Sequence, residues 1–240
     1  MRRVHLATIR EGTQPAPPET ARYLVSVLRL TDGAEVQVFG GGQEARAVLG
    51  VSPGGAVTLA VSAPTSTPAR RPVTILYALS KGDKVDGVVR DATELGATRL
   101  VIFAAERRVV KLEDDRAAKR TQRWQKIAEE ASRQCGRADP PEIVGPLPFA
   151  AALETMHSTR TWLLHPSAPM PLADGLEAAL LSSDGVAFLI GPEGGFSQAE
   201  LELAETHGVM AASFGTTTLR TETVPTAILG ALAVLDRRTT

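Results

Sequence analysis

Five short apolar runs constrain the fold of this chain more than anything else in it: VTILYAL (73–79), RLVIFAA (99–105), TWLLH (161–165), VAFLI (186–190) and VMAASF (209–214). They are continuous rather than alternating, so each reads as a strand covered on both faces. Segments with helical spacing separate several of them. KVDGVVRDATELG (84–96) is one, ending on Gly96 as a C′ cap, and a long helix over 116–135 is another. Strand–helix alternation of this kind specifies a mostly parallel, two-sided α/β sheet.

The texture before residue 72 is different. Residues 34–62 place short β-prone runs between Gly-rich turns, Gly40-Gly41-Gly42 and Pro53-Gly54-Gly55. That is a hairpin or meander pattern, giving a small antiparallel sheet or barrel. ARYLVSVLRL (21–30) has helical spacing and leads into it. PTSTPARRP (64–72) has three prolines and no apolar periodicity, and reads as a linker. The 240 residues therefore divide into a first domain over 1–68 and a second over 72–240.

The single cysteine, Cys135, excludes an internal disulfide and fits a reducing compartment. MRRVHLATIREG has no apolar core of a signal peptide, and AILGALAVL (227–235) is too short to span a bilayer, so the cytoplasm is the expected location. The net charge of −1 excludes nothing, but its distribution is uneven. Residues 107–137 carry ten basic and five acidic side chains, whereas residues 138–240 carry four basic and twelve acidic. The basic segment is either a solvated helix face or a surface that meets an anion.

VAFLI-GPEGG-FSQAELELAETHG is strand, loop and helix. Ser197 and Glu200 form a capping box and Gly208 closes the helix. Gly191–Gly195 thus lies at the carboxyl end of a strand, where open α/β sheets bind ligands. The loop is neither a Walker loop, having no lysine, nor a dinucleotide fingerprint, its glycines being 191, 194 and 195. With Glu193 inside it, the loop suits a neutral or cationic ligand gripped by backbone groups; a tight turn is the other reading. SFGTTTLRTETVPTAILGAL (213–232) repeats the pattern, with Pro225 in the first turn of its helix. Arg220 stands there with Glu222, either paired to it or held for an anionic substrate. His165-Pro166 makes a third strand exit. The histidines at 5, 157, 165 and 207 have no metal-ligand spacing, so no metal is expected.

Taken together, YLVSVLRLTDGAEVQVFGG, KGDKVDGVVRDATELGATRLV, RWQKIAEEASRQCGR, LLHP, GPEGGFS and LRTET resemble the RsmE family of 16S ribosomal RNA uridine N3-methyltransferases in the SPOUT superfamily. The resemblance covers nearly the whole chain, and GPEGGFS followed by LRTET is its most specific pair. It implies an N-terminal PUA-like, RNA-binding β-barrel and a C-terminal SPOUT α/β domain with a deep trefoil knot. It implies S-adenosyl-L-methionine (SAM) as cofactor, held by three loops: Leu163, Leu164 and His165 with Pro166; Gly191, Pro192, Glu193, Gly194 and Gly195; and Gly215, Leu219, Arg220 and Thr221. It implies a homodimer acting on 16S rRNA in the assembled small subunit. Arg220 would stabilise the uracil anion, and Glu222 would orient Arg220 or take the proton. Arg2, Arg3, Arg107, Arg108, Lys111, Arg123, Gln134 and Arg137 would face RNA, with Arg116, Lys119 and Arg120 beside them. Trp124 is expected in the core or a dimer contact, and Cys135 in a buried or pocket-lining place. Ribose 2′-O-methylation is the competing reaction, and a non-catalytic RNA-binding assembly factor the competing class. The chain departs from the family pattern at Arg133, where glutamate is usual beside the uridine pocket, at Ala138-Asp139, and at Thr216–Thr218.

Overall fold

A computed structural model describes residues 1–80, 82–107, 114–156, 159–181 and 184–235. It divides into two compact units. One comprises Met1–Ala69 with Ser132–Pro140; the other comprises Arg70–Ala131 with Pro141–Thr240. The break after Ala69 falls in the proline-rich linker, while the end of the long helix groups with the first unit.

Alternation builds the first unit. Strands β1 (Arg2–His5), β2 (Gly12–Pro15), β3 (Glu35–Gly40), β4 (Gln43–Val51), β5 (Val57–Val61) and β6 (Thr65–Ser66) form one sheet. Its order is β1-β3-β4-β5-β2, with β6 on β4. β1 runs parallel to β3, and the remaining pairs are antiparallel. In β4, Ala45, Ala47 and Leu49 turn inward and Arg46 and Val48 outward, which is the period of a half-buried strand. Val4, Leu24, Val36, Val38, Leu49 and Leu59 fill the core. The helix read over 21–30 instead starts at Pro18. α1 (Pro18–Arg22) has its proline in the first turn and passes into a π-helical turn, Tyr23–Val27. Arg29 then takes a positive φ of 55°, which ends the helix.

Continuous burial builds the second unit. Its strands are β7 (Val73–Ala78), β8 (Arg99–Ala104), β9 (Glu142–Pro148), β10 (Arg160–Leu164), β11 (Val186–Ile190) and β12 (Met210–Ala212). They form a sheet in the order β12-β10-β11-β7-β8-β9, parallel at every pairing. The helices are α2 (Lys84–Glu94), α3 (Asp114–Cys135), α4 (Phe149–Glu154), α5 (Leu172–Leu181), α6 (Gln198–Thr206) and α7 (Thr223–Leu235). Ile75, Tyr77, Leu100, Ile102, Trp162 and Phe188 face one side of the sheet, with Val88 and Val89 of α2, Trp124 of α3, Leu176 of α5 and Leu229 of α7. Leu76, Val101, Phe103, Leu163 and Leu189 face the other, with Phe149 of α4 and Ala204 of α6. Adjacent residues of one strand thus enter different cores, which is why the runs are apolar without a break. Trp124 is a core residue; its indole N–H donates to Asp86 at 3.0 Å.

β9 was hidden in the sequence by Gly145 and Pro146. It is an edge strand on β8 whose register shifts opposite Val101–Phe103, and edges tolerate both residues. No helix among the described residues is long and apolar enough to cross a membrane.

Phe188 is fully buried and its ring lies 5.7 Å from that of Trp162, nearly parallel to it. Truncating it to alanine should cost about 3–5 kcal/mol of stability. Urea unfolding checks this, and a loss near zero would mean that this layer is not packed.

Candidate functional site: three loops at the carboxyl edge

β10 lies between β12 and β11 in the sheet. The loops leaving these three neighbouring strands therefore emerge side by side at the carboxyl edge, where parallel sheets bind ligands. They line a cleft of about 370 Å³. Leu164, His165 and Pro166 come from the β10 exit, Ile190 to Glu193, Gly195 and Phe196 from the β11 exit, and Phe214 to Thr221 with Val224 from the β12 exit.

Of the residues expected to hold a ligand, Leu164, His165, Gly191, Pro192, Glu193, Gly195, Gly215, Leu219, Arg220 and Thr221 line this cleft. Two do not. Leu163 is the neighbour of Leu164 in β10, so its side chain points to the opposite face and joins the core there. Gly194 has turned away, and its carbonyl accepts from the Arg107 guanidinium at 3.4 Å. Ile190, Phe196, Phe214 and Val224 were not singled out from sequence, because apolar residues beside a loop look like ordinary core.

Phe196 decides the shape of the glycine loop. Its ring packs against Phe149 at 5.6 Å and Phe103 at 6.3 Å, beneath the loop. A Cβ at Gly191 would stand 2.6 Å from that ring, so only glycine lets the backbone pass. Gly195 turns the chain at φ 70°, with its N–H on the Pro192 carbonyl at 2.9 Å. The capping box is formed as expected: Ser197 Oγ accepts from the Glu200 N–H, and Glu200 Oε2 accepts from the Ser197 N–H at 2.9 Å. The other oxygen of Glu200 accepts from the Glu106 N–H at 2.8 Å, which ties the β8 exit to the start of α6. His165 Nδ1 accepts from the Ser167 N–H at 3.2 Å and closes the β10 exit as a turn.

A charged network spans two of the loops. Lys84 Nζ lies 2.7 Å from Glu193 and 3.3 Å from Glu222. The Thr221 hydroxyl donates to Glu222 at 3.2 Å and lies 3.3 Å from the Tyr77 hydroxyl. The bond from Lys84 holds Glu193 below the usual carboxyl range. A bond from its own backbone N–H, with Lys84 behind it, does the same for Glu222. The bond to Glu193 raises Lys84, and burial raises Tyr77. Glu222 meets Lys84 and the Thr221 hydroxyl, and no bond joins it to Arg220 among the described residues. Arg220 is exposed at the cleft and has no ion pair among the described residues.

The residues expected to face RNA separate. In the first unit Arg2 and Gln134 are exposed. Arg3 is instead a structural residue: its guanidinium bonds Glu44 and the carbonyls of Ser132 (2.9 Å) and Arg137 (3.1 Å), and lies 4.4 Å from the Phe39 ring centre. Arg137 is likewise corrected. It is buried, and donates to the Asp139 carbonyl at 2.8 Å. Cys135 is exposed rather than buried. In the second unit Arg107 is exposed beside Gly194, and Arg123 pairs with Asp86 and, at 3.4 Å, with Asp83. Arg108 and Lys111 lie outside the described residues, as does the side chain of Arg116.

Residues 67–233 match the family model described as RNA methyltransferase domain. The ribosomal RNA small subunit methyltransferase E of Bacillus subtilis is 30% identical over 97% of this chain and 96% of its own. That of Synechocystis is 32% identical over 95% of this chain and 75% of its own. The crystal structure of the Neisseria gonorrhoeae ribosomal RNA small subunit methyltransferase E bound to S-adenosyl methionine superposes with a TM-score of 0.85. It is 29% identical, over 98% of both chains.

The loop network carries a pH signature. The depressed carboxyls contribute fully above their ordinary value of 4.5, and that contribution is lost as pH falls through the lowered values. Lys84 is raised above 10.5, so its contribution is complete below that value and is lost as pH rises through the raised one. Carbon-13 NMR of the side-chain carboxyls should place both midpoints below 4.5; ordinary midpoints would remove the tie.

Proposed function

The chain belongs to the ribosomal RNA small subunit methyltransferase E family, and from that premise we propose that it transfers a methyl group from SAM to N3 of one uridine in 16S ribosomal RNA. The observation that carries the reading is the convergence of three strand-exit loops on one cleft whose rim bears Arg220, which has no ion pair among the described residues.

The residues present fit SAM. The cleft volume of about 370 Å³ falls within the range usual for small-molecule sites. Leu164, Ile190, Phe214 and Val224 offer apolar surface to a flat neutral base, and the loop backbone offers hydrogen bonds along its edge. The GPEGG loop carries no lysine of its own to meet a triphosphate. When bound, SAM supplies an electrophilic methyl group on a sulfonium for in-line displacement.

The protein's part is position and charge. Neutral uracil N3 is a poor nucleophile, so its proton must leave as the new N–C bond forms. Arg220 donates to the uracil carbonyl oxygens and stabilises the negative charge that develops there. With Glu222 engaged by Lys84, the proton passes to solvent. Arg2 and Gln134 on the first unit, and Arg107 and Lys119 on the second, are exposed and available to meet RNA. Their phosphate contacts place the RNA without reading its sequence and make binding salt-dependent.

The finer architecture belongs to the same proposal. The first unit acts as a PUA-like barrel for RNA, and the second threads its three cleft loops through a deep trefoil knot. The position of β10 between β11 and β12 supports that path. The enzyme works as a homodimer, for which the exposed Val234 and Leu235 at the end of α7 supply apolar surface. Its substrate is the assembled small subunit, in the cytoplasm.

Tritiated SAM and small subunits from a strain lacking this protein test the reaction. N3-methyluridine by nucleoside mass analysis is the expected product, and methylated ribose would sink the N3 assignment. Arg220→Ala should lower methyl transfer about 100- to 1,000-fold while calorimetry still reports SAM binding. Normal turnover by that variant would remove Arg220 from the mechanism.

A further inference from the structure

Lys84 touches both long loops of the cleft without lining it. It begins α2, which belongs to neither loop. Glu193 belongs to the β11 exit and Glu222 to the β12 exit, and Lys84 is the one cation that either carboxylate pairs with among the described residues. Behind Glu222 the chain of hydrogen bonds continues through Thr221 to Tyr77, which is fully buried in β7. The two loops of the cleft thus meet on one ammonium group, and one of them reaches the buried strand β7 through Thr221 and Tyr77.

We propose that Lys84 is a positioning residue that clamps the 191–195 loop to the 213–222 loop and so holds the cleft in its binding shape. The proposal rests on the reading of the cleft as a SAM site. An exposed ion pair between two partners is worth little, because water screens it and two side chains must be ordered. Three groups from three separate elements behave differently. Removing the shared cation breaks two bonds at once and leaves two carboxylates in mutual repulsion, both on loops that shape the same cleft. Arg220 lies two residues before Glu222 in the same loop, and its carbonyl accepts from the Thr223 N–H at 2.9 Å.

Hydrogen–deuterium exchange and calorimetry on the full chain test the clamp. In Lys84→Met, amides of both loops should exchange about fivefold faster and the Kd for SAM should rise about fivefold, as expected for coupled groups. Lys84→Arg should recover part of both effects. So should neutralising the carboxylates in the Lys84→Met background, with Glu193→Gln and Glu222→Gln together. A merely local surface pair would move neither loop, so unchanged exchange in both would overturn the proposal. If Lys84→Met does not fold, Glu193→Gln carries the same test, because it must quicken exchange in the 213–222 loop; unchanged exchange there would also overturn the clamp. Quickened exchange together with no SAM binding by the wild-type chain would sink the functional reading and leave the clamp standing.

Discussion

Burial of the parallel sheet on both faces is the constraint on which the rest of the second unit depends. β11 and most of β7, β8 and β10 place successive residues in one of two cores. Every fully buried aliphatic or aromatic side chain contributes on the order of 1.5–3 kcal/mol. A strand held from both sides cannot slide, since a shift of one residue would exchange its two faces. Its carboxyl end is therefore a fixed point from which a loop can be hung. Three such points lie in a row because β10 sits between β12 and β11.

Fixed ends do not by themselves make a shaped loop. Phe196 supplies the next level of order by leaving the glycine loop and entering the aromatic layer with Phe103 and Phe149. Gly191 is the counterpart that gives the ring its room. Glu200, buried in the first turn of α6, adds a second anchor by bonding both Ser197 and the backbone of Glu106. A buried carboxylate is costly unless its oxygens are satisfied, and here each has a backbone N–H. The loop is thus pinned by packing on one side and by hydrogen bonds on the other, which leaves its backbone free to face a ligand.

Charge is arranged by the same economy. Among the described residues of the second unit, several cations pair with carboxylates: Arg99 with Glu142, Arg123 with Asp83 and Asp86, Lys84 with Glu193 and Glu222. Arg220 has no ion pair among the described residues, and the carboxylate two residues along the chain meets Lys84. In the first unit Arg3 and Arg137 are bound inward by Glu44, Asp139 and backbone carbonyls, which leaves Arg2 and Gln134 on the surface. A basic count along a segment therefore overstates the surface available to RNA.

Much of this was legible from residue order. Unbroken apolar runs specified the parallel sheet, alternation specified the first unit, and Ser197 with Glu200 specified a helix start, because each signal arises from neighbours within one element. The three cleft loops were legible as strand exits and by resemblance, with Arg220 marked by its isolation in an acidic region. β9 was not, since an edge strand tolerates the glycine and proline that argue against a strand. Nor was the side-chain assignment of Leu163, which depends on which face of β10 its neighbour occupies. Arg3 and Arg137 were misjudged for one reason: the partner of a long charged side chain is chosen in space. Lys84 is 109 residues from Glu193 and 138 from Glu222, separations that no local pattern registers. Sequence alone determined which elements form and which strand ends carry loops. Tertiary structure decided which charges pair with one another, because that depends on distances only the folded sheet creates.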